Sequence, residues 1–243
     1  MSARIELQPA WVLHTRPYQN SSLLVDFLSL DYGRLRAVAR GARRAGSRTR
    51  ALLQPFHPLL ITLAGRHELK TLTAVESSHG ALSLQGTRLF SGLYLNELLV
   101  RLLLSHEEHG DLYRSYQQAI IALSTERDVA STLRRFELAL LETLGYGLNL
   151  AVDCRSGEPI IAQGHYLFLE EEGFERIAHS GHVSSPDQLT FTGAELCALR
   201  HCDFKEAAHG RAAMRLTRLA LQRLLGDKPL ASRELFLSAR ARE

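Results

Sequence analysis

Aspartate and glutamate are missing from Tyr32 to His67, a run of 36 residues. Lysine is nearly missing from the whole chain: Lys70, Lys205 and Lys228 stand against 26 arginines, a bias that a GC-rich genome can produce as readily as phosphate recognition. Cysteine occurs three times, at 154, 197 and 202, odd in number and widely spaced. That excludes a disulfide framework and suits a reducing cytoplasm. No apolar run reaches the ~20 residues that span a bilayer. The N-terminal MSARIELQPAWVLHT lacks the basic leader, long apolar run and small-residue cleavage site of a secretory signal. The expected location is therefore cytoplasmic, in association with the nucleoid. Catalytic frames are absent too: there is no G-x-S-x-G, no H-E-x-x-H and no phosphate loop of the G-x-x-x-x-G-K-[ST] kind. The 11 histidines fall in no recognisable arrangement. Neither an enzyme nor a cofactor is expected.

The acid-free stretch holds eight arginines: Arg34, Arg36, Arg40, Arg43, Arg44, Arg48, Arg50 and Arg66. Seven of them fall within GRLRAVARGARRAGSRTR, residues 33–50. Arginine keeps its charge at any physiological pH, and its planar fork matches phosphate oxygens two bonds at a time. Uncompensated like charges repel and cost folding free energy, so so dense a cluster is the footprint of a polyanion partner. The whole-chain charge of +3 hides it. Residues 1–80 carry 11 Lys+Arg against 5 Asp+Glu, net +6, and residues 81–243 are net −3. This asymmetry points to nucleic acid at the front.

At 45% apolar, 243 residues can bury a core in one or two domains. The first 80 residues read as five short strands: Ala10–Thr15, Ser22–Ser29, Arg34–Arg40, Pro58–Leu63 and Glu68–Val75. The last two form a hairpin across Ala64-Gly65-Arg66-His67. Period-two alternation puts Arg34, Arg36, Val38 and Arg40 on one face of the third strand, and Leu35, Ala37 and Ala39 on the other. Gly41–Arg50 reads as a basic loop. Five strands in this length predict a small barrel or sandwich. Helical periodicity then takes over at Leu89–Leu104, Gly110–Ser124 and Val129–Leu144, the third helix ending at Gly145. A mixed segment, Tyr146–Gln188, contains a hairpin in HYLFLEEEGFERIA, with Glu170-Glu171-Glu172 as its exposed end. Thr192-Gly193-Ala194-Glu195 is a capping box opening a helix, and Arg211–Leu225 is a long amphipathic helix stopped by Gly226 and Pro229. The boundary between modules is placed at residues 78–85. The fold class is α+β: a five-stranded barrel over 1–80, then a mainly helical domain over 81–243 with a small β-hairpin insertion.

No sequence-reading helix lies near the basic cluster, so backbone contact is expected in preference to base readout. A strand face with an arginine loop suits single strands, with Tyr18, Tyr32 and Phe56 as candidate stacking surfaces and Phe27 assigned to the core. The candidate DNA contacts are Arg34, Arg36, Arg40, Arg43, Arg44, Arg48, Arg50, Arg66 and Lys70. Cys197, Cys202 and Cys154 form no C-x2-C pair of the kind a structural zinc wants. Ser105–His109 reads as a polar interhelix loop. In LRRFELALL, Arg134 and Arg135 are embedded in an apolar helix. They suit pairing with Glu137 or Glu142, or snorkelling to water, and equally a groove for an acidic-hydrophobic peptide whose terminal carboxylate needs a guanidinium.

The segments VLHTRPYQNSSLLVDFLS, GRLRAVARGARR, LQPFHPLLITLAGRHELKTL, LFSGLYLNELLVRLL, LRRFELALLETLGYGLNL and GDKPLASRELF run in one order over nearly the whole chain. Together they resemble the bacterial RecO family of repair and recombination mediators. The resemblance implies an N-terminal oligonucleotide/oligosaccharide-binding (OB) barrel and a helical domain. It implies binding of single- and double-stranded DNA, annealing of complementary strands, and, with the partner RecR, loading of RecA onto DNA coated by single-strand binding protein. It also places contact with the acidic tail of that binding protein on the helical domain, at Arg134. Many members of the family hold zinc with two C-x2-C pairs. Here the first pair is reduced to Cys154 with Gly157 at the second position, and Glu172–Phe174 offers no cysteine, so no metal is expected.

Overall fold

The computed structural model describes residues 4–125, 128–178 and 189–240. The last ten residues of the mixed segment, 179–188, lie outside the described residues. The chain forms two compact units, Met1–Val129 with Asp227–Glu243, and Ala130–Gly226.

The first unit begins with β1 (Arg4–Tyr18), β2 (Ser22–Ser29), β3 (Gly33–Ala39), the short α1 (Arg48–Leu52), β4 (Pro58–Ala64) and β5 (Leu69–Ser77). The five strands close into a barrel in the order β1-β2-β3-β5-β4. Every pairing is antiparallel except β3 with β5, which run parallel over three residue pairs. Alternation in the sequence becomes inside and outside here. Val25, Phe27, Leu35, Ala37, Ile61 and Leu63 are fully buried in the barrel core, while Arg34 and Arg36 take the opposite face of β3. The observed β1 is far longer than the expected Ala10–Thr15. Its register shifts between Ile5 and Gln8 and again between Val12 and His14, and such bulges bend a long strand so that it can serve both β4 and β2. Phe27 is buried as expected. Phe56, a stacking candidate, is buried too, its ring packed where a Cβ on Gly92 would lie 2.7 Å away.

Strands give way to helices between Ser77 and Gly86, with α2 (Gly86–Leu102) and α3 (Gly110–Thr125) following. Both belong to the compact unit of the barrel. The side chain of Asn96 on α2 explains the attachment. It donates to the Leu13 carbonyl (3.0 Å), at the β1 bulge, and accepts from the Tyr116 hydroxyl of α3 (2.6 Å). Tyr116 also meets Trp11 of β1 edge-on at 5.8 Å. Both polar partners are buried, so each bond answers a desolvated polar group. The chain returns to this unit at α7 (Ala231–Arg240). There Glu97 of α2 accepts from the N–H groups of Ala231 and Ser232 and from the Ser232 hydroxyl, at 2.7–2.8 Å, and Phe236 packs edge-on against Phe90. A carboxylate at a helix N-terminus meets both orphan donors and the positive end of the dipole.

The second unit holds α4 (Val129–Thr143), the sheet of β6 (His165–Leu169), β7 (Gly173–Ile177) and β8 (Thr190–Thr192) in the order β7-β6-β8, then α5 (Gly193–Arg200) and α6 (Ala207–Leu225). Its core gathers Tyr166, Phe174, Phe191, Leu196, Leu199 and Leu216. The capping box at Thr192 and Glu195 is present in full, and Gly226, at φ +64°, ends α6. Glu170, Glu171 and Glu172 sit at the exposed hairpin end, yet they are paired: the first two with Arg223, the third with Arg155.

Candidate nucleic-acid interface

Along β3 the basic residues separate into two groups. At its beginning, Arg34 is built into the fold. Its Nε and Nη2 donate to Asp26 on the neighbouring strand at 3.2 and 3.0 Å, and Nη1 donates to the Leu103 carbonyl at 2.9 Å. Its side chain is 11% exposed. Arg36 donates through Nε to the same Asp26 oxygen at 3.1 Å and is one-third exposed. The acid-free run is therefore not uncompensated. Asp26 lies just outside it in sequence but directly opposite Arg36 in the antiparallel register. Lys70 donates to the carbonyls of Gly65 and His67 and closes the β4–β5 turn, and Arg66 is exposed on that turn.

The interhelix segment Ser105–His109 also differs from a free loop. Ser105 bridges Arg34 in parallel, the His106 N–H donates to the Arg34 carbonyl at 3.0 Å, and the His106 ring meets the Glu68 carbonyl at 3.3 Å. Gly33, at φ +58°, is required where it stands, because a Cβ would lie 1.7 Å from the Glu107 carbonyl oxygen. With Arg36, Arg66 and Lys70, this segment frames an open cleft of about 700 Å³.

Beyond the end of β3 lies the second group. Arg40, Arg43, Arg44, Arg48 and Arg50 are all exposed. None makes an ion pair with a carboxylate among the described residues. The expected loop is partly ordered as helix: Ser47 accepts from the Arg50 N–H and caps α1, which carries Arg48 and Arg50. The Arg43 N–H donates to the Ser21 carbonyl at 2.9 Å, and its guanidinium reaches the Gln19 carbonyl at 3.3 Å, which anchors the segment on the β1–β2 turn. The register adds a residue that the sequence reading passed over. Arg16 lies opposite Leu24, and Leu24 opposite Val38, so exposed Arg16 shares the outer face with Arg36 and Arg40. Half-buried Tyr18 sits opposite Ser22, next to the row of Arg40. Parity with Tyr18 was the available signal; cross-strand register, which sequence does not print, was the missing one. Tyr32 is 42% exposed at the β2–β3 turn.

In the second unit, Arg134 is occupied. Its Nη2 pairs with Glu137 at 2.8 Å and its Nη1 donates to Thr217 at 3.3 Å, while the Thr217 hydroxyl donates to Glu137. Glu137 and Thr217 are 1% and 0% exposed. Arg135 is exposed and lies 6.0 Å from the centre of the Phe204 ring. Of the readings open to Arg134, pairing with Glu137 is the arrangement observed.

The zinc expected of many relatives does not fit the residues here. Cys154 backs onto β7, its N–H donating to the Phe174 carbonyl. Where further ligands would stand, the guanidinium of Arg155 pairs with Glu172 at 2.7 Å and Glu175 at 3.9 Å. A cation in that place repels another. Burial pushes the Cys154 thiol up, and Asp153 adds to the effect; burial does the same at Cys202. Both shifts reduce the thiolate fraction that metals and electrophiles require. Asp153 staples the turn instead. Although burial opposes its charge, the N–H groups of Ser156, Arg176 and Arg155 outweigh that and hold its carboxyl below the usual range.

A closed five-stranded barrel with an arginine-rich outer face, followed by helices, defines an OB-type α+β protein with the electrostatics of a polyanion binder. Residues 1–81 match the family described as Recombination protein O N terminal, and residues 83–234 the one described as Recombination protein O C terminal. The chain belongs to the RecO family of DNA repair proteins. It is 44% identical over 233 residues to DNA repair protein RecO of Cellvibrio japonicus, covering 96% of this chain and 97% of that one. It is 45% identical to the protein of the same name from Haemophilus influenzae strain 86-028NP (95% of each chain). With that of Proteus mirabilis, 46% identity extends over 94% of this chain and 91% of the other. No described helix is long and apolar enough to cross a membrane.

Proposed function

We propose that this protein is a DNA-binding recombination mediator whose barrel, within residues 1–80, grips the sugar–phosphate backbone of single- and double-stranded DNA. The observation that carries this reading is the group of five exposed arginines, 40, 43, 44, 48 and 50, held on an ordered segment without carboxylate partners among the described residues. Annealing follows physically. Neutralised phosphates repel less, and contacts that ignore base edges leave them free to pair. By family resemblance, the protein acts with RecR to load RecA onto DNA coated by single-strand binding protein, and Arg134 with Arg135 meets the acidic tail of that coat protein.

The test uses the full chain, because α2 and α3 complete the barrel's unit. Charge reversal by Arg43→Glu with Arg44→Glu lowers affinity for every DNA sequence by about 100-fold. It also flattens the salt dependence by about 1.4 in slope for single strands, at ~0.7 per phosphate. Unchanged binding by the double variant refutes the assignment. Arg134→Ala is measured separately against an acidic C-terminal peptide, and loss of peptide without loss of DNA binding is the expected result.

A further inference from the structure

The outer face of α6 carries charge of one sign. From Ala207 to Gly226 the chain has no aspartate or glutamate, although residues 81–243 as a whole are net −3. One side of the helix is given to the core: Ala212, Ala213, Leu216, Thr217 and Leu221 are buried. The other side shows Arg211, Arg215, Arg218 and Gln222, all exposed. Steps of four, three and four residues line them up along a single stripe. A solvated helix face ordinarily mixes signs, because a carboxylate one turn away stabilises each cation and a like charge there opposes it. Arg211 and Arg218 make no ion pair among the described residues. Arg223, off the stripe, is paired with Glu170 and Glu171. The carboxylate that does reach the stripe is Glu195, 3.5 Å from Arg215, and it is shared with the capping box of α5, where it accepts from the Thr192 N–H at 2.8 Å. The Arg215 guanidinium also lies over the ring of Phe191, 4.9 Å from its centre, so two partners hold it in place on the stripe.

We infer that this stripe holds the sugar–phosphate backbone of a second DNA strand while the barrel holds the first. The inference rests on the DNA-binding reading above and extends it to the other unit. Arg211 and Arg218 are the phosphate contacts, and Arg215 is a third whose plane is set by Phe191 and Glu195. From Arg211 to Gln222 the stripe runs about 16 Å at ~1.5 Å per residue. At ~3.4 Å per nucleotide that is about five stacked nucleotides, within the range of sites that bind single strands without reading sequence. Phe191 is buried beneath Arg215, so contact goes to phosphate and the base edges stay free to pair. Met214, 48% exposed, is the one large apolar side chain that α6 exposes among the described residues. It is a poor anchor for an acidic protein, whose interface would centre on buried aromatic and apolar groups. Two strands on one molecule meet at high effective concentration, so the first encounter between complementary bases becomes intramolecular.

The experiment uses the full chain and compares two readouts: anisotropy of one labelled oligonucleotide with protein in excess, and energy transfer between two labelled complementary strands as they anneal. Arg211→Gln with Arg218→Gln slows annealing about tenfold, as a tethered encounter reverts to a free one, and leaves the affinity for the first strand as in wild type. The annealing rate also becomes less sensitive to salt. Both positions are exposed and glutamine is a good helix former, so the melting curve is unchanged. Arg211→Lys with Arg218→Lys keeps the charge and keeps most of the annealing rate. Annealing at the wild-type rate by the glutamine variant overturns the proposal. So does a loss of first-strand affinity in proportion to the loss of annealing, which would make the stripe part of one common site. Capture of polyglutamate by the wild type but not by the glutamine variant, with annealing intact, assigns the face to an acidic protein and likewise overturns it. If Arg43→Glu with Arg44→Glu binds the first strand normally, the DNA-binding reading fails; if it loses that strand while the glutamine variant anneals normally, only the second-strand site fails.

Discussion

Arginine does opposite work in the segment after β3 and in α4. Arg40, Arg44, Arg48 and Arg50 are exposed and pair with no carboxylate among the described residues. Arg134 is 14% exposed and shares a closed network with Glu137 and Thr217. The first group carries repulsion that a bound polyanion relieves, so its free energy is available to a partner. Arg134 has its charge answered already, and removing it takes the countercharge from a buried carboxylate. One residue type thus carries unanswered charge in one region and paired charge in the other, and the difference is set by neighbours that are distant in sequence: Thr217 lies 83 residues from Arg134.

The sharpest way to break this comparison is Arg134→Ala. It leaves Glu137 without its guanidinium and costs about 3 kcal/mol, as for other buried pairs cut on one side. At roughly 2–4 °C per kcal/mol the melting temperature falls by ~6–12 °C. A melt unchanged from wild type contradicts the architectural role. Next in size is Asn96→Ala, which removes two buried hydrogen bonds, to the Tyr116 hydroxyl and the Leu13 carbonyl, and costs about 2–3 kcal/mol. Chemical denaturation reads it, and DNA affinity measured at a temperature where the variant is folded stays as in wild type.

On the binding side, Arg48→Ala removes one exposed guanidinium. Affinity for single strands drops about threefold to tenfold, and stability moves by less than ~0.5 kcal/mol. A variant that melts early instead would show that Arg48 belongs with Arg134. The smallest effect is on pH. Burial opposes the charge of Glu97, yet the Ser232 hydroxyl and the N–H groups of Ser232 and Ala231 hold its carboxyl below the usual value of 4.5. Its contribution is complete above that value and fades as pH falls through the lowered one. The protection factors of the α7 amides, intrinsic exchange rates divided by the observed ones at each pH, therefore fall in acid, and Glu97→Gln makes them insensitive to pH in the same window.

Much of the barrel was legible from short local patterns. Ser22–Ser29 is an apolar run bounded by turn residues and is buried on both faces, the inward trio Leu35, Ala37 and Ala39 alternates with Arg34 and Arg36, and the capping box at Thr192 is a local signal that needs no tertiary knowledge. What escaped the reading depends on contacts across the chain. α1 is five residues long, too short for a periodic pattern. Ser105–His109 is polar and looks free, but its order comes from a backbone bond to Arg34 of β3 and a contact of the His106 ring with the Glu68 carbonyl just before β5. At the candidate site, composition marks the arginines and hides their division: Asp26 is one strand away, and nothing in the local sequence says which guanidinium groups it captures.

Because α7 rejoins the first unit, the second is threaded into it through two crossings of the chain, one near residue 129 and one near residue 226. A protease that cuts at either crossing alone leaves both pieces tethered by the other strand. Deleting residues 227–243 outright is different: it leaves the second unit as a plain C-terminal appendage, and strips α2 of the helix that Glu97 and Phe90 were holding.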